Sequence, residues 1–182
     1  MLLIAAVLVA WLRDPLQAGE PGAELGPGLH LSSNVIALGG TRENLMVLER
    51  RNGDSSGAAV NILIVDADDA SGRWMFPDNS QIILSRDTLY AGAAGSSPVT
   101  GLVLTVGDPG GTKGARQSLY SYRVGGGPAV RFLTADAILA AKQSGFDRYL
   151  VVYRNGGKAI AGTFSLADFK SLAQQPLPDV PR

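Results

Sequence analysis

Short apolar runs alternate with turns rich in glycine over most of this chain. The runs are rich in Val, Ile, Leu and aromatic residues and are bounded by Gly, Asn, Asp or Pro, which is typical of β-strands. An Arg-Asn-Gly-Gly sequence at 154–157 predicts a hairpin, because Asn and Gly tolerate the positive φ of a tight turn. The pattern predicts an all-β fold with mainly antiparallel sheets. The runs lie at 45–48, 62–65, 82–84, 102–106, 119–122, 150–153 and 159–164.

An internal repeat organises these runs. Segments 44–79 and 101–136 align without a gap at an offset of 57, so that Leu45 corresponds to Leu102. Each segment has the pattern strand, glycine-rich loop, strand, tight turn, strand, and a third, shorter copy covers 148–178. The sequence therefore predicts a four-stranded unit that was copied along the chain. A short apolar piece, the fourth strand of each unit, precedes each copy at 35–38, 82–84 and 138–141.

The turn at 65–73 contains Val-Asp followed by Ser-Gly-Arg, and the run at 150–154 reads Leu-Val-Val-Tyr-Arg. On these residues, the region 33–178 resembles β-propeller repeats, in which each unit is a four-stranded blade. A typical ring has four to eight blades, so three units imply an open meander, a sandwich or an assembly with another chain. The resemblance also implies a binding or scaffolding role with a protein partner, although fold alone does not determine function.

Two segments also carry helix signals. Thr134 as N-cap and Gly145 as the residue after the C-terminus predict a helix over 135–143. Ser165, with an Asp three residues later, has the spacing of a capping box and predicts a helix over 166–174. The repeat pattern instead places strands and turns at both positions. One or two short helices therefore stand as an alternative to a purely β unit.

The N-terminus predicts an export signal or a membrane anchor over 1–13. Residues 2–12 are all apolar. As a helix they would cover roughly 16 Å, which is too short for a hydrocarbon core of about 30 Å but suits a signal peptide. We expect a Gly/Pro-rich linker over 14–32, the β-repeat domain over 33–178 and a tail at 179–182. The expected location is membrane-anchored, periplasmic or exported; the alternative is a buried first element of a soluble domain.

Composition excludes several function classes. The chain has 182 residues with 16 basic and 16 acidic side chains, and this zero net charge argues against a nucleic-acid partner. Because it contains no Cys, it has no disulfide framework, thiol nucleophile or zinc–thiolate site. A single His excludes a multi-His metal site. We expect no cofactor.

No catalytic residue is predicted. The sequence at 53–57 fits G-x-S-x-G, but a strand rather than a helix follows it, and the single histidine, His30, lies upstream. The sequence at 107–114 lacks the Gly-Lys-Ser/Thr order of a phosphate-binding loop. The sequence favours a polar hairpin turn at 66–72, in which Asp and Ser side chains cap their own backbone, and it predicts no metal site; Asp66, Asp68 and Asp69 are only weak candidate cation ligands.

A basic surface is the candidate ligand site. Residues 1–91 hold 6 basic and 11 acidic side chains, whereas 92–182 hold 10 and 5. Strand alternation places Tyr120 and Tyr122 on one face and Arg123 on the other. Aromatic and Arg side chains together favour an anionic or sugar-like ligand. The candidate residues are Lys113, Arg116, Tyr120, Tyr122, Arg123 and Arg131.

These observations lead to three hypotheses. The first is a membrane-tethered or exported β-repeat module that binds protein, since the edges of an unclosed sheet offer docking surfaces. The second is a small-ligand or anion-binding module that uses the basic surface. The third is a hydrolase built on a pair of Asp residues.

Overall fold

The computed structural model describes residues 24–51, 57–92, 98–108 and 115–178, and within these ranges all regular structure is β-strand. The all-β prediction is confirmed. The strands are β1 (Glu24–Gly26), β2 (Leu29–Leu31), β3 (Ile36–Ala37), β4 (Glu43–Arg50), β5 (Ala58–Asp66), β6 (Gly72–Trp74), β7 (Ile82–Tyr90), β8 (Val99–Gly107), β9 (Gln117–Arg123), β10 (Val130–Ala135), β11 (Ala137–Gln143), β12 (Arg148–Asn155), β13 (Lys158–Ser165) and β14 (Ser171–Pro176).

The strands form three antiparallel sheets in chain order. Sheet 1 has the order β1-β2-β4-β5-β6, with β3 also paired to β4. Sheet 2 has the order β10-β9-β8-β7, and sheet 3 the order β11-β12-β13-β14. Segments 44–79 and 101–136 therefore share one topology. The predicted hairpin joins β12 to β13, where Gly156 and Gly157 have φ values of 57° and 78°.

The gapless alignment of the repeats is wrong by one residue in the first strand. Leu45 pairs with Ile64, whereas Ser121, which lies 57 residues after Ile64, pairs with Val103. Leu45 therefore corresponds to Val103 and not to Leu102. The cause is a bulge in the β4–β5 pairing that the β8–β9 pairing lacks, and a shift of one residue turns side chains to the opposite face of a sheet.

The helix predicted over 135–143 is wrong, because β10 ends at Ala135 and β11 runs from Ala137 to Gln143. Strand β11 pairs with β12 from Ala137 to Gln143 and places Ile138 and Ala141 against a core. The main-chain hydrogen bonds of this pairing and the burial of apolar side chains outweigh the weak helix propensity of an Ala-containing segment.

The helix predicted over 166–174 is also wrong. Ser165 Oγ accepts a hydrogen bond from the Ala167 N–H, and Asp168 Oδ1 accepts one from the Lys170 N–H. These side-chain oxygens thus close a tight turn, after which β14 begins. The capping-box prediction fails because Ser and Asp side chains that accept bonds from nearby N–H groups stabilise turns as well as helix starts.

In the described part of the chain, the three sheets pack against each other through two hydrophobic cores. The first lies between sheets 1 and 2 and the second between sheets 2 and 3, so sheet 2 is buried on both faces. We call the face towards the following sheet the forward face and the other the rear face. The first core contains Leu45, Val47, Ile62 and Ile64 of sheet 1 and Leu102, Leu104, Val106 and Tyr122 of sheet 2. The second contains Val103, Leu119 and Ala135 of sheet 2 and Tyr149, Val151, Tyr153, Phe164 and Phe169 of sheet 3.

The turns that follow the odd-numbered strands from β3 onwards lie at one end of the sheets, which we call the upper end. This follows from antiparallel order, in which successive turns alternate between ends. Contacts between sheets align the upper ends: the Val99 N–H donates to the Gly39 carbonyl at 2.9 Å, and Arg123 reaches the turn after β13.

The predicted domain bounds are only partly covered by the structure. Strands β1 and β2 lie inside the predicted linker 14–32, so sheet 1 begins before the predicted domain. The apolar segment 1–13, the tail 179–182, Lys113 and most of the 53–57 loop lie outside the described residues. Within the described ranges, no helix has the length and apolar character needed to cross a membrane.

Candidate functional site

A cleft of about 570 Å³ opens between sheets 1 and 2 at the upper end. The turns after β3, β5 and β9 and the start of β8 form its walls. The charged side chains that line it are two basic ones, Arg42 and Arg73, and two acidic ones, Glu43 and Asp66, so their charges cancel. The cleft is lined by Gly40, Thr41, Arg42, Glu43, Ile64, Asp66, Ser71, Gly72, Arg73, Pro98, Val99, Val124 and Gly125.

A buried carboxylate at the base of the cleft joins the two sheets. The Tyr122 hydroxyl donates to Glu43 Oε2 at 2.6 Å, and Arg73 Nη2 donates to Glu43 Oε1 and to the Tyr122 oxygen, each at 2.6 Å. The Gly125 N–H donates to Glu43 Oε1 at 3.0 Å. Because Glu43 and Arg73 belong to sheet 1 and Tyr122 and Gly125 to sheet 2, this network cross-links the sheets.

The electrostatics of this network keep Tyr122 protonated. Burial and the hydrogen bond to Glu43 raise the pKa of the Tyr122 hydroxyl well above its ordinary value, while Arg73 opposes this in part. The Arg73 guanidinium also lies 5.5 Å from the centre of the Tyr122 ring, within the range of a cation–π contact. The protonated phenol and the carboxylate, both of whose oxygens accept hydrogen bonds, hold sheets 1 and 2 together.

The three predicted cation ligands form a polar turn at the rim of the cleft. Asp66 Oδ1 accepts from the Asp68 N–H at 2.9 Å, and Asp69 Oδ1 accepts from the Ser71 N–H at 2.8 Å. Arg42 pairs with Asp66 at 3.5 Å and with Asp68 at 3.1 Å. Among the residues that the structure describes, no group of three His, Cys, Asp or Glu side chains is placed to hold a metal ion.

Lys113 lies outside the described residues, and the structure does not bring the other five candidates of the basic surface together on one face. Tyr122 is 1% exposed, and the half-buried Tyr120 makes an edge contact with Phe76 at 5.2 Å between ring centres. Arg123 lies on the opposite, forward face of β9. Arg116 and Arg131 are exposed, Arg116 immediately before β9 and Arg131 in the edge strand β10.

Arg123 instead links sheet 2 to sheet 3. Its Nη2 donates to the carbonyl oxygens of Leu166 and Ala167, in the turn after β13, at 2.6 Å to the former. Its guanidinium lies 5.8 Å from the centre of the Phe169 ring. Arg123 lies on the face of β9 opposite the tyrosines, as strand alternation predicts, but its partner is the neighbouring sheet.

The turns after β5 and β13 share one hydrogen-bond pattern, at 66–71 and 165–170. Each turn has six residues. The N–H of the first residue donates to the carbonyl of the sixth, and the N–H of the fifth donates to the carbonyl of the first. The side-chain oxygens of the first and fourth residues accept from the third and sixth N–H groups. The fifth residues, Ala70 and Phe169, have positive φ values of 57° and 55°. The two turns are therefore equivalent at an offset of 99, a likeness the sequence analysis missed.

A second cavity of about 220 Å³ lies between sheets 2 and 3. Asp87 of β7 and Tyr149 of β12 line it and interact with each other. Neither Asp87 Oδ2 nor the Tyr149 hydroxyl makes a hydrogen bond of good geometry within the described part of the chain. Burial raises the pKa of the Asp87 carboxyl and of the Tyr149 hydroxyl, and the charge of Asp87 raises that of Tyr149 further. An ionised Asp87 is therefore destabilising to the fold.

We expect Asp87→Asn to stabilise the protein at neutral pH by about 1 kcal/mol, because it removes a buried charge that is incompletely paired. The folded-state pKa of Asp87 lies above the unfolded value. The wild type therefore recovers this stability as the pH falls through the folded-state pKa, and below the unfolded pKa the two proteins converge. Urea unfolding between pH 7 and pH 3 measures the difference. A difference independent of pH would contradict the assignment.

The exposed Asp78 is the matched control. Its carboxyl accepts hydrogen bonds from Ser80, which lower its pKa. Asp78→Asn therefore removes a group that favours folding above the ordinary Asp pKa, and it should not raise stability at neutral pH.

The end faces of the stack belong to neither core. On the rear face of sheet 1, Met46 pairs with Leu63, and Leu63 pairs with Trp74, which is 41% exposed. On the forward face of sheet 3, Leu150 is also 41% exposed and pairs with Thr163. Each end of the stack thus exposes a large apolar side chain, although Leu48, on the rear face of sheet 1, is buried. On the forward face of sheet 3, β12 and β13 carry Arg148, Leu150, Val152, Arg154, Ala161 and Thr163, and Lys142 of β11 pairs with Leu150.

The fold places this chain among β-propeller-like proteins. In a comparison with solved structures, it is similar to the β-propeller domain of the Trilobed protease from Pyrococcus furiosus, which is described as having an open velcro topology. The TM-score is 0.50 and the sequence identity 12%; the match covers 85% of this chain and 45% of that chain. At this identity the likeness shows the fold alone. No family model and no curated protein matches the sequence.

Proposed function

We propose that this chain is a non-enzymatic interaction module that binds protein through the end faces of its stacked sheets. One observation carries the proposal: Leu150 on the forward face of sheet 3 is 41% exposed, whereas its counterpart Leu45 in sheet 1 is fully buried. The position is apolar in both sheets. Sheet 2 covers it in sheet 1, so a protein partner is suited to cover Leu150 in sheet 3.

The equivalence of the two leucines follows from strand register. The matching turns align Ile64 of sheet 1 with Thr163 of sheet 3. Leu45 is the cross-strand partner of Ile64, and Leu150 is the partner of Thr163. Burial of a Leu side chain stabilises by about 2 kcal/mol, so a protein partner that covers this face gains binding energy.

The other hypotheses receive less support from the geometry. Tyr122 is buried and Arg123 is bonded to sheet 3, so of the candidate residues that the structure describes, Arg116, Arg131 and the half-buried Tyr120 are left for an anionic ligand. The carboxylate of Glu43 is fully bonded to its neighbours, which disfavours a hydrolytic role for it. Both hypotheses stay predictions.

The proposal includes tethering or export through the apolar segment 1–13. Its support is the sequence pattern, since an apolar run of this length followed by Arg13, Asp14 and Pro15 is typical of a secretory segment. A module held at a membrane surface would meet protein partners there.

Native gels of membrane and soluble fractions from the cells that make the protein test this proposal. We expect the wild type in the membrane or exported fraction, in a complex heavier than one chain, and we expect Leu150→Asp to abolish that complex. Val130→Asp is the matched control, because Val130 is 63% exposed but lies in the edge strand of sheet 2. A wild-type chain that migrates alone, or a complex indifferent to Leu150→Asp, would refute the proposal.

A further inference from the structure

We infer that the cavity between sheets 2 and 3 binds a small organic cation, whose N–H groups donate to the Asp87 carboxylate and to the Tyr149 oxygen. The ligand class is a compound that carries one guanidinium or primary ammonium group. The cavity is distinct from the end faces of the stack, so this binding does not depend on the proposed protein partner.

The contact between sheets 1 and 2 shows which group the cavity lacks. There, Glu43 and Tyr122 meet across the two sheets, and Arg73 Nη2 donates to an oxygen of each at 2.6 Å. Between sheets 2 and 3, Asp87 and Tyr149 form a second carboxylate–phenol pair. Among the described residues, no basic side chain lines the cavity beside this pair. A ligand cation would take the place that the Arg73 guanidinium has at the first contact.

The second pair has hydrogen-bonding capacity to spare. Asp87 Oδ2 and the hydroxyl of the fully buried Tyr149 both lack a hydrogen bond of good geometry within the described ranges. Ser85 and Thr105 line the same cavity, and their hydroxyl oxygens can accept further N–H groups. Because a buried polar atom without a partner costs free energy, a ligand that brings several N–H donors recovers that cost on binding.

The charges around the cavity favour a cation over other ligands. Burial raises the pKa of the Asp87 carboxyl, and Tyr149, the main chain of Gln143 and the charge of Lys142 lower it in part. An anion would be repelled by the carboxylate, and an apolar molecule would leave the buried polar atoms unpaired. A cation instead favours the ionised carboxylate.

A β-bulge turns Asp87 into the cavity. The register of β7 shifts between Ile83 and Ser85, so Leu84 is an extra residue in this strand. In a regular strand, Ile83 and Asp87 would lie on the same face, because side chains alternate. The bulge leaves Ile83 in the first core and places Asp87 on the opposite face, towards sheet 3. Bulges of this kind re-aim side chains and are common beside functional sites.

A second bulge lies across the cavity and helps to define its mouth. The register of β11 shifts between Ile138 and Ala140, so Leu139 is the extra residue there. Leu84 and Leu139 both line the cavity and are 44% and 56% exposed, so the cavity opens to solvent beside them. Its volume of about 220 Å³ is the share of about seven liquid water molecules, which limits the ligand to a small molecule.

An NMR titration of the purified 182-residue chain with methylguanidinium chloride tests the inference. We expect saturable shifts of the amide signals of residues that line the cavity. N-Methylurea has the same shape without the charge and is the control ligand; it should bind about tenfold more weakly or not at all, since hydrogen bonds between ions are the stronger ones. No binding of methylguanidinium, or equal binding of the two compounds, would overturn the inference.

Substitutions in the cavity test which groups hold the cation. Asp87→Asn should weaken the binding of methylguanidinium about tenfold, and Tyr149→Phe about threefold. The matched controls are Asp78→Asn and Tyr153→Phe, since neither residue lines the cavity, and both should leave the affinity unchanged. Circular dichroism checks that each variant keeps its sheets. Binding that survives Asp87→Asn would show association with surface carboxylates only and would overturn the site.

The pH dependence distinguishes pairing with Asp87 from simple filling of the cavity. A guanidinium group stays charged at every pH of the titration. The affinity should therefore fall between about pH 7 and about pH 4, as the Asp87 carboxyl takes up its proton at a raised pKa and loses its charge. The raised pKa of Tyr149 keeps its hydroxyl protonated in this range. An affinity that is the same at both ends of the range would overturn the role of Asp87.

Discussion

Glu43→Ala is expected to lower the free energy of unfolding by about 3 kcal/mol. The substitution removes the acceptor of hydrogen bonds from Tyr122, Arg73 and the Gly125 N–H. Removing one partner of a buried ion pair typically costs about 3–5 kcal/mol, and the partial exposure of Arg73 places this case at the lower end. Urea unfolding of the wild type and the variant measures the loss.

A double-mutant cycle with Arg73→Ala checks the physical cause. If Glu43 stabilises the fold through Arg73, removing both should cost less than the sum of the single losses by about 1 kcal/mol or more. Strictly additive losses would show that Glu43 acts independently of Arg73.

Gly101→Ala is the second change with a large expected effect. A Cβ atom at Gly101 would lie 2.2 Å from the carbonyl oxygen of Tyr122, which is a backbone atom and cannot turn away. Relief of this overlap has to separate β8 from β9 and displace Tyr122 from Glu43. We expect a loss of about 3 kcal/mol, seen as a fall in Tm of roughly 10 °C.

Gly39→Ala is the matched control for this glycine. Gly39 lies in the turn after β3, and a Cβ atom there would meet nothing within 4 Å. Its replacement should leave Tm unchanged or raise it slightly, because alanine has less conformational freedom in the unfolded chain. Equal losses at Gly101 and Gly39 would contradict the steric argument.

The sequence predicted those features that local chemistry controls. Alternating apolar residues identified the strands, and the Asn-Gly-Gly turn after β12 was predicted because positive φ is a property of the residues themselves. The repeat was visible for the same reason, since each copy needs its own turns and its own apolar strands. The repeat offset of 57 does not hold in β4. The cause is the bulge in the β4–β5 pairing, and the identities of the residues do not reveal where two strands form a bulge.

The candidate site was harder to predict because it depends on residues distant in sequence. Glu43 and Tyr122 lie 79 residues apart and meet only when sheets 1 and 2 stack. Tyr122 was selected for its aromatic ring and position, but it faces a core. The shared turns at 66–71 and 165–170 do carry a sequence signal: each begins with Asp or Ser and has Asp three residues later. Ser165 and Asp168 were instead assigned to a helix cap, which uses similar hydrogen bonds.

The sequence by itself determined the strand content, the turns and the existence of a repeated unit, because these depend on side-chain alternation and on backbone conformations available to single residues. The tertiary structure decided which face of each strand is buried, which charged groups pair and whether 135–143 is helix or strand. Those outcomes depend on the free energy of contacts between distant segments, which exceeds the small propensity differences of any one segment.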